Sequence, residues 1–320
     1  MSSLKIFSGD ANRPLAQQIC DNLSQGLGDV ALHQFPSGEH YCQFKENIRG
    51  KDVFLIQPLS TPVNENLMQL LIMVDAARRS SADRITVVIP YLGYSRQDRK
   101  DKSRTPISVK LVLDMISAAG VDRIISMDLH APQINGMTNL PFDHLYFSPV
   151  LIKEIKNNCD NCAVVAPDVG ALKRASIYSK ALKCNLAIIN KERLDDTQVS
   201  HTSFIGDVKD KKVFIVDDIT ESCGTLIGAA KICKEKGAKE VVCAVTHPCL
   251  TRLGLDRLEK SLVDGVIDVF YNSDTVRYEC QRNVDPTGKI KVLSVAGIFS
   301  RAIRSTHENE SISELFKVEE

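Results

Sequence analysis

The chain has 320 residues, 43% of them hydrophobic, a length and composition that favour two domains with ample core. Its 40 basic and 40 acidic side chains cancel, so no excess positive charge points to nucleic acid and no basic tail points to a membrane surface. No apolar run approaches the roughly 20 residues of a membrane span, and MSSLKIFSGD lacks the apolar region of a signal peptide, so a cytoplasmic location is expected.

Strands alternate with helices along the chain. LKIF (4–7) and VALHQF (30–35) are short strand candidates around a helix, PLAQQICDNLS, and VFLIQ (53–57) follows. NENLMQLLIMVDAARR (64–79) carries apolar residues on most sides and is predicted as a largely buried helix. ITVVIP (85–90) and RIISMD (123–128) are near-continuous apolar strands on either side of a helix near 107–120. The second half repeats the rhythm with strands AVVAPD (163–168), LAIIN (186–190), VFIVDD (213–218), VVCAVTH (241–247) and VIDVFY (266–271), and helices at 170–182 and 225–237. This order predicts an α/β protein of mainly parallel sheets flanked by helices. We divide it into domains 1–148 and 149–320, with the last segment a candidate for packing on the first domain.

The most informative stretch is VFIVDDITESCGT (213–225). Four apolar residues end in Asp217 and Asp218, and a short polar loop leads into a helix. Ligands of open α/β sheets lie beyond the carboxyl ends of the strands. A loop of small residues opening a helix presents N–H groups and hydroxyls to an anion, with the helix dipole behind them. The carboxylates would repel a phosphate, so sugar hydroxyls suit them better. The pattern suggests a sugar phosphate, specifically a ribose 5-phosphate group; the alternative is a plain strand-to-helix turn with a capping Thr or Ser.

Other strand ends carry further polar groups. PYLGYSRQDRKDKSRTP (90–106) brings Arg96, Arg99, Lys100, Lys102 and Arg104 with Asp98 and Asp101 to the end of a strand, and guanidinium forks match phosphate oxygens. In SMDLHAPQINGM (126–137), strand alternation would put Asp128 and His130 on one side, with Asp143 downstream. Such a set suits Mg²⁺, which takes one or two protein ligands plus waters and substrate phosphates, or else a satisfied structural His–Asp pair. APDVGALKRA (166–175) places Asp168 and Gly170 at a strand end, with Lys173 and Arg174 read as surface charges. Residues 191–212, few of them apolar, are expected to form a long mobile loop or a short antiparallel flap of the kind that closes over a reacting phosphate.

Ten cysteines are scattered, and Cys20, Cys233 and Cys243 fit apolar patterns as small buried hydrophobes. The one C-x-x-C, Cys159 to Cys162, lacks the second pair of a zinc site and precedes a strand rather than opening a helix as a redox motif would.

The segments YSRQDRKDKSRTPIS, MDLHA, NKER and VDDITESCGT, in this order and spacing, resemble those of ribose-phosphate pyrophosphokinases, and the resemblance covers nearly the whole chain. It implies two tandem domains of the type I phosphoribosyltransferase fold, with the active site at their interface and across subunits. The implied reaction is transfer of the diphosphoryl group of ATP to ribose 5-phosphate with Mg²⁺, releasing AMP. Carried over residue by residue, Asp217 and Asp218 hold the ribose hydroxyls, while Thr220, Glu221, Ser222, Cys223, Gly224 and Thr225 hold the 5-phosphate. Arg96, Gln97, Asp98, Arg99, Lys100, Asp101 and His130 line the ATP site, joined by Phe35, Ser37 and Glu39 from a neighbouring subunit. Asp128, His130, Asp143 and Asp168 match metal positions. Lys191, Arg193 and His130 match catalytic ones. Arg49, Ser103 and Arg104 match a regulatory anion site. The family also implies a homo-oligomer, dimers assembled into a hexamer. Two departures stand out: Ala171 replaces the second glycine of P-D-x-G-G, which would strain a turn of positive φ, and Pro132 follows D-L-H-A. A base phosphoribosyltransferase would not need the RQDRKD and DLHA segments. A non-catalytic paralogue would show an eroded loop or an insertion near the flap, and neither is present. A dinucleotide enzyme would need a G-x-G-x-x-G after a strand.

Overall fold

The computed structural model describes residues 3–193, 199–277 and 287–316 and divides into two units. The first runs to Tyr146 and resumes at Ser294. Its sheet is wholly parallel, in the order β1 (Leu4–Ser8), β4 (Asp52–Ile56), β5 (Arg84–Ile89), β6 (Arg123–Met127) and β7 (Phe142–Leu145). Continuous apolar runs are what a sheet covered on both faces requires, and every residue of β4 is buried. Helix α1 (Arg13–Leu23) starts at Asn12, whose Oδ1 accepts the Leu15 N–H. Helices α2 (Val63–Arg79) and α3 (Ser108–Ala119) bring Leu70, Met73, Leu113 and Ile116 into one core with Leu55, Val87 and Ile124 of the sheet. The burial of α2 is narrower than its composition predicts: Leu67, Leu70, Met73, Val74 and Ala77 form the covered face, and Met68 is 49% exposed. A helix lying on a sheet hides one face and leaves the opposite one to solvent.

Residues 30–34 do not join this sheet. They form β2 (Val30–Gln34), paired antiparallel with β3 (His40–Phe44) in a separate hairpin. The last helix of the chain, α8 (Ala296–Glu308), packs against α1 through a face that includes Phe299, Ala302 and Ile303. It is fastened at its end, where Arg84 donates to the Thr306 carbonyl at 2.9 Å and His307 Nδ1 lies 2.7 Å from Asp52.

The second unit holds a seven-stranded sheet, ordered β10 (Val199–Ile205), β9 (Asn185–Arg193), β8 (Cys162–Ala166), β11 (Lys212–Thr220), β12 (Glu240–Pro248), β13 (Val269–Ser273) and β14 (Ile290–Leu293). All pairs are parallel except β10 with β9, an antiparallel hairpin in the region expected to be a loop or flap. Helix α4 (Ser148–Ile155) precedes β8, and α5 (Leu172–Ala181), α6 (Gly224–Glu235) and α7 (Arg252–Val263) follow β8, β11 and β12. Leu226, Ala230 and Leu258 from α6 and α7 close a core over Val165, Ile215, Cys243 and Phe270.

Candidate active site

In the second unit the chemistry gathers at the carboxyl end of β11. Asp218 is buried and Asp217 nearly so, and the Asp218 N–H donates to Asp217 Oδ1 at 2.9 Å. Arg174, in the first turn of α5, reaches both carboxylates, with NH1 at 3.4 Å from Asp217 and 3.2 Å from Asp218. It is therefore not the surface charge expected from sequence. Burial pushes the Asp217 carboxyl up to about 8; the charge of Asp218 adds to this, Arg174 opposes it, and the charge of nearby Asp168 contributes less. Asp168 Oδ1 accepts the Ala171 N–H at 3.0 Å, holding the turn into α5. Ala171 itself has φ −80°, so the alanine in the second glycine position causes no strain.

The loop after Asp218 turns at Cys223, which takes the left-handed conformation (φ 57°) and whose thiol burial pushes up to about 11. Thr220 Oγ1 lies 3.6 Å from Cys223 Sγ. Glu221, Ser222, Gly224 and Thr225 are exposed around the start of α6, where no side chain caps the helix. The first-turn N–H groups of a helix have no intrahelical acceptor, and the dipole favours an anion there. The loop is braced from behind by α7. Thr251 N–H donates to the Glu221 carbonyl at 3.0 Å, and a Cβ at Gly254 would stand 1.8 Å from that same oxygen. Thr251 and Gly254 lie in THPCLTRLG (246–254), where a Thr three residues before a Gly at a helix start is the sequence signal for this brace.

Lys191 and Arg193 occupy the end of β9, with Lys191 opposite Thr202 of β10 in register. Their side chains lie outside the described residues.

In the first unit, the contacts that hold the loop after β5 include Gln133 Nε2 donating to Asp98 Oδ2 at 3.2 Å, the Ser108 hydroxyl bonding Gln97 Oε1, and the Tyr94 hydroxyl bonding Asn64 Oδ1. Arg96, Arg99, Lys100 and Asp101 are exposed, and Arg99 pairs with Asp101 at 3.0 Å. Ser103 and Arg104 lie on the same exposed loop, Arg104 with φ 66°, while Arg49 donates to Ser81 Oγ at 3.2 Å.

The alternation expected for Asp128 and His130 stops at Met127. The backbone turns at Asp128 (φ 37°), leaving Asp128 buried and His130 exposed. Asp143 is engaged by Arg123 NH1 at 2.7 Å, at the start of β6. Its neighbour His144 is the residue that reaches the Asp128 turn, Nε2 accepting the Leu129 N–H at 2.9 Å, so its proton resides on Nδ1. Burial and then the charge of Asp128 raise the Tyr146 hydroxyl, marking Tyr146 as a further neighbour of that carboxylate. Pro132 opens a short 3-10 helix, a position where its missing N–H costs nothing. At the tip of the β2–β3 hairpin Phe35 is 45% exposed beside His33 and Tyr41, and Ser37 Oγ donates to Glu39 at 2.6 Å.

A mainly parallel sheet whose acidic strand end runs into an anion-ready helix start suits an enzyme of the phosphoribosyltransferase type. Residues 150–281 match the phosphoribosyl transferase domain, and residues 4–120 match the N-terminal domain of ribose phosphate pyrophosphokinase. The chain is 47% identical over 316 residues to ribose-phosphate pyrophosphokinase A of Dictyostelium discoideum, covering 98% of each. It is 43% identical over 321 residues to the ribose-phosphate pyrophosphokinase of Rhodopirellula baltica, covering 99% of each. The crystal structure of phosphoribosylpyrophosphate synthetase from Mycobacterium smegmatis matches with a TM-score of 0.88 at 34% identity, over 96% of this chain and 100% of that one. The chain belongs to the ribose-phosphate pyrophosphokinase family.

Proposed function

We propose that the chain makes 5-phospho-α-D-ribose 1-diphosphate from ATP and ribose 5-phosphate, releasing AMP, and so supplies nucleotide biosynthesis. The observation that carries this reading is the Asp217–Asp218 pair set against the exposed start of α6. Carboxylates accept hydrogen bonds from vicinal sugar hydroxyls, and the loop from Thr220 to Thr225 takes the 5-phosphate a short distance away. Arg174 offsets part of the charge of the acids and so lessens their repulsion of the phosphate. The anomeric oxygen attacks the β-phosphorus of ATP, the bond to the α–β bridging oxygen breaks, and AMP leaves. Such a transfer depends on alignment and charge stabilisation more than on covalent help from the protein. Lys191 and Arg193 stabilise the migrating charge, and His130 contacts the nucleotide phosphates. The loop of Arg96, Gln97, Asp98, Arg99, Lys100 and Asp101 binds ATP, and Phe35, Ser37 and Glu39 contact the adenine of a neighbouring subunit in a homo-oligomer of dimers. Arg49, Ser103 and Arg104 take a regulatory anion.

Asp168 we assign separately to a second metal or to the ribose; Asp128 and His130 are the groups we assign to Mg²⁺. They fit a hard cation that takes few protein ligands and completes its shell with water and phosphate oxygens. When bound, Mg²⁺ offsets the charge on the nucleotide phosphates. Asp143, which pairs with Arg123, is the further carboxylate we assign to that metal. Among the described residues no helix is long and apolar enough to cross a membrane, and we place the enzyme in the cytoplasm.

The test uses ATP labelled at the β-phosphorus with ribose 5-phosphate and Mg²⁺. The label should enter the sugar 1-diphosphate in equal amount to AMP, and Lys191→Ala should abolish it. ADP and a sugar bisphosphate as products would contradict the proposal.

A further inference from the structure

The cysteine pair that the catalytic reading leaves unused acquires a third member in the fold. Cys159 and Cys162 are joined as a disulfide, their Cα atoms 5.3 Å apart. Cys184 lies far along the chain, between α5 and β9. The parallel pairing of β8 with β9 aligns Ala163 with Asn185, so Cys162 and Cys184 stand side by side where the two strands begin. The three sulfur atoms lie within 4.8 Å of one another, and among the described residues this is the one such trio of metal-ligand atoms. Cys162 is buried, whereas Cys159 and Cys184 are half-buried and reachable from solvent. Burial raises the Cys184 thiol, while the Val164 N–H and the charge of Lys211 act in the opposite sense and favour its thiolate. By contrast, Cys20, Cys233 and Cys243 are fully buried among apolar side chains.

We propose that the reduced trio Cys159, Cys162 and Cys184 binds a thiophilic d10 cation of the Zn²⁺ class, its fourth position taken by water or an outside ligand. The C-x-x-C spacing is that of zinc sites, and three sulfurs select soft or borderline cations over Mg²⁺. Tetrahedral ligation with metal–sulfur distances of about 2.3 Å sets sulfurs roughly 3.8 Å apart, so opening the disulfide and small side-chain rotations suffice. A dithiol supplies two electrons and two protons to the Cys159–Cys162 bond and becomes a disulfide itself. As each metal–sulfur bond forms, its thiol releases a proton to solvent. The oxidised and metal-bound forms exclude each other, because the disulfide consumes two of the three donors. The trio sits at the amino ends of β8 and β9, whereas Asp168 and Lys191 leave their carboxyl ends, so occupancy should clip the sheet without touching the reacting groups.

The test is a titration of the full-length protein, reduced with a phosphine under argon and kept in excess Mg²⁺ to occupy oxygen ligands, with Cd²⁺ and then Zn²⁺. The expected result is one thiolate-to-cadmium charge-transfer band that saturates at one ion per chain, displaced by Zn²⁺. Cys184→Ser and Cys159→Ser should weaken binding by more than the roughly 10–100-fold that loss of an outer-shell partner costs. Cys42→Ser should match the unsubstituted protein, and Cys184→Ser should leave turnover of ATP and ribose 5-phosphate unchanged. A reduced, natively folded protein with no band would overturn the proposal, as would a band undiminished in Cys184→Ser.

Discussion

Asp52 and Asp217 are both aspartates on buried parallel strands, and they are treated in opposite ways. Asp52, at the start of β4, is 1% exposed and fully matched. The Arg84 guanidinium grips both its oxygens, with Nε at 2.8 Å from Oδ1, and His307 adds a contact at 2.7 Å. The result is a clasp joining β4, β5 and α8. Asp217, at the end of β11, lies against a second carboxylate and divides one guanidinium NH1 with it at 3.2–3.4 Å, longer than a strong charge-assisted bond. Its proton is correspondingly hard to remove. An acid that only holds the fold together is given its full complement of donors. An acid that must receive a ligand is left electrostatically costly until the ligand arrives, and such perturbed groups cluster at functional sites.

The contrast can be broken at either end. Asp52→Ala leaves the Arg84 guanidinium only the Thr306 carbonyl and Asn309, and losing hydrogen bonds to a charged partner should cost about 2 kcal/mol of stability. Calorimetric melting should record the loss, with KM for ribose 5-phosphate unchanged. Asp218→Ala should do the reverse: a folded protein whose kcat/KM falls roughly 10²-fold, the scale expected when a reactant is misplaced.

Asp217→Asn sharpens the comparison through pH. An ordinary aspartate loses its proton near 3.8, whereas folded Asp217 keeps it up to about 8. Between these values the native state binds more protons than the unfolded one, so the ligand-free protein should lose stability as pH rises through that window. Melting temperature against pH should show this fall in the unsubstituted protein and a flatter curve in Asp217→Asn, which should be the more stable of the two at pH 8.

Gly254→Ala should raise KM for ribose 5-phosphate roughly tenfold, because the new methyl meets the Glu221 carbonyl and displaces the phosphate loop. Ala171→Gly is expected to have the smallest effect, a few tenths of a kcal/mol, since φ is already negative there.

Local patterns in the sequence locate most of this. Continuous apolar runs mark the parallel strands because burial on both faces leaves no place for polar residues, and the polar loops follow directly from the strand ends. What escapes is decided by pairing. HYCQF is too short and too mixed to reveal β3, which is stabilised by its partner β2. Asp143 and His144 face opposite ways by strand alternation, but only the fold tells that Arg123 takes the first and the Asp128 turn the second. Arg174 reads as a surface charge until α5 is laid beside β11, and Cys184 has no visible link to Cys162 until β8 and β9 pair in register.

The most direct test is thermal melting with and without ribose 5-phosphate, in the presence of Mg²⁺, for the unsubstituted protein, Asp52→Asn and Asp217→Asn. A ligand that binds only the native state raises its melting temperature. The sugar phosphate should stabilise the unsubstituted protein and Asp52→Asn alike and leave Asp217→Asn almost unmoved. If Asp217→Asn gained as much as the unsubstituted protein, the acid pair would not be the seat of ribose binding.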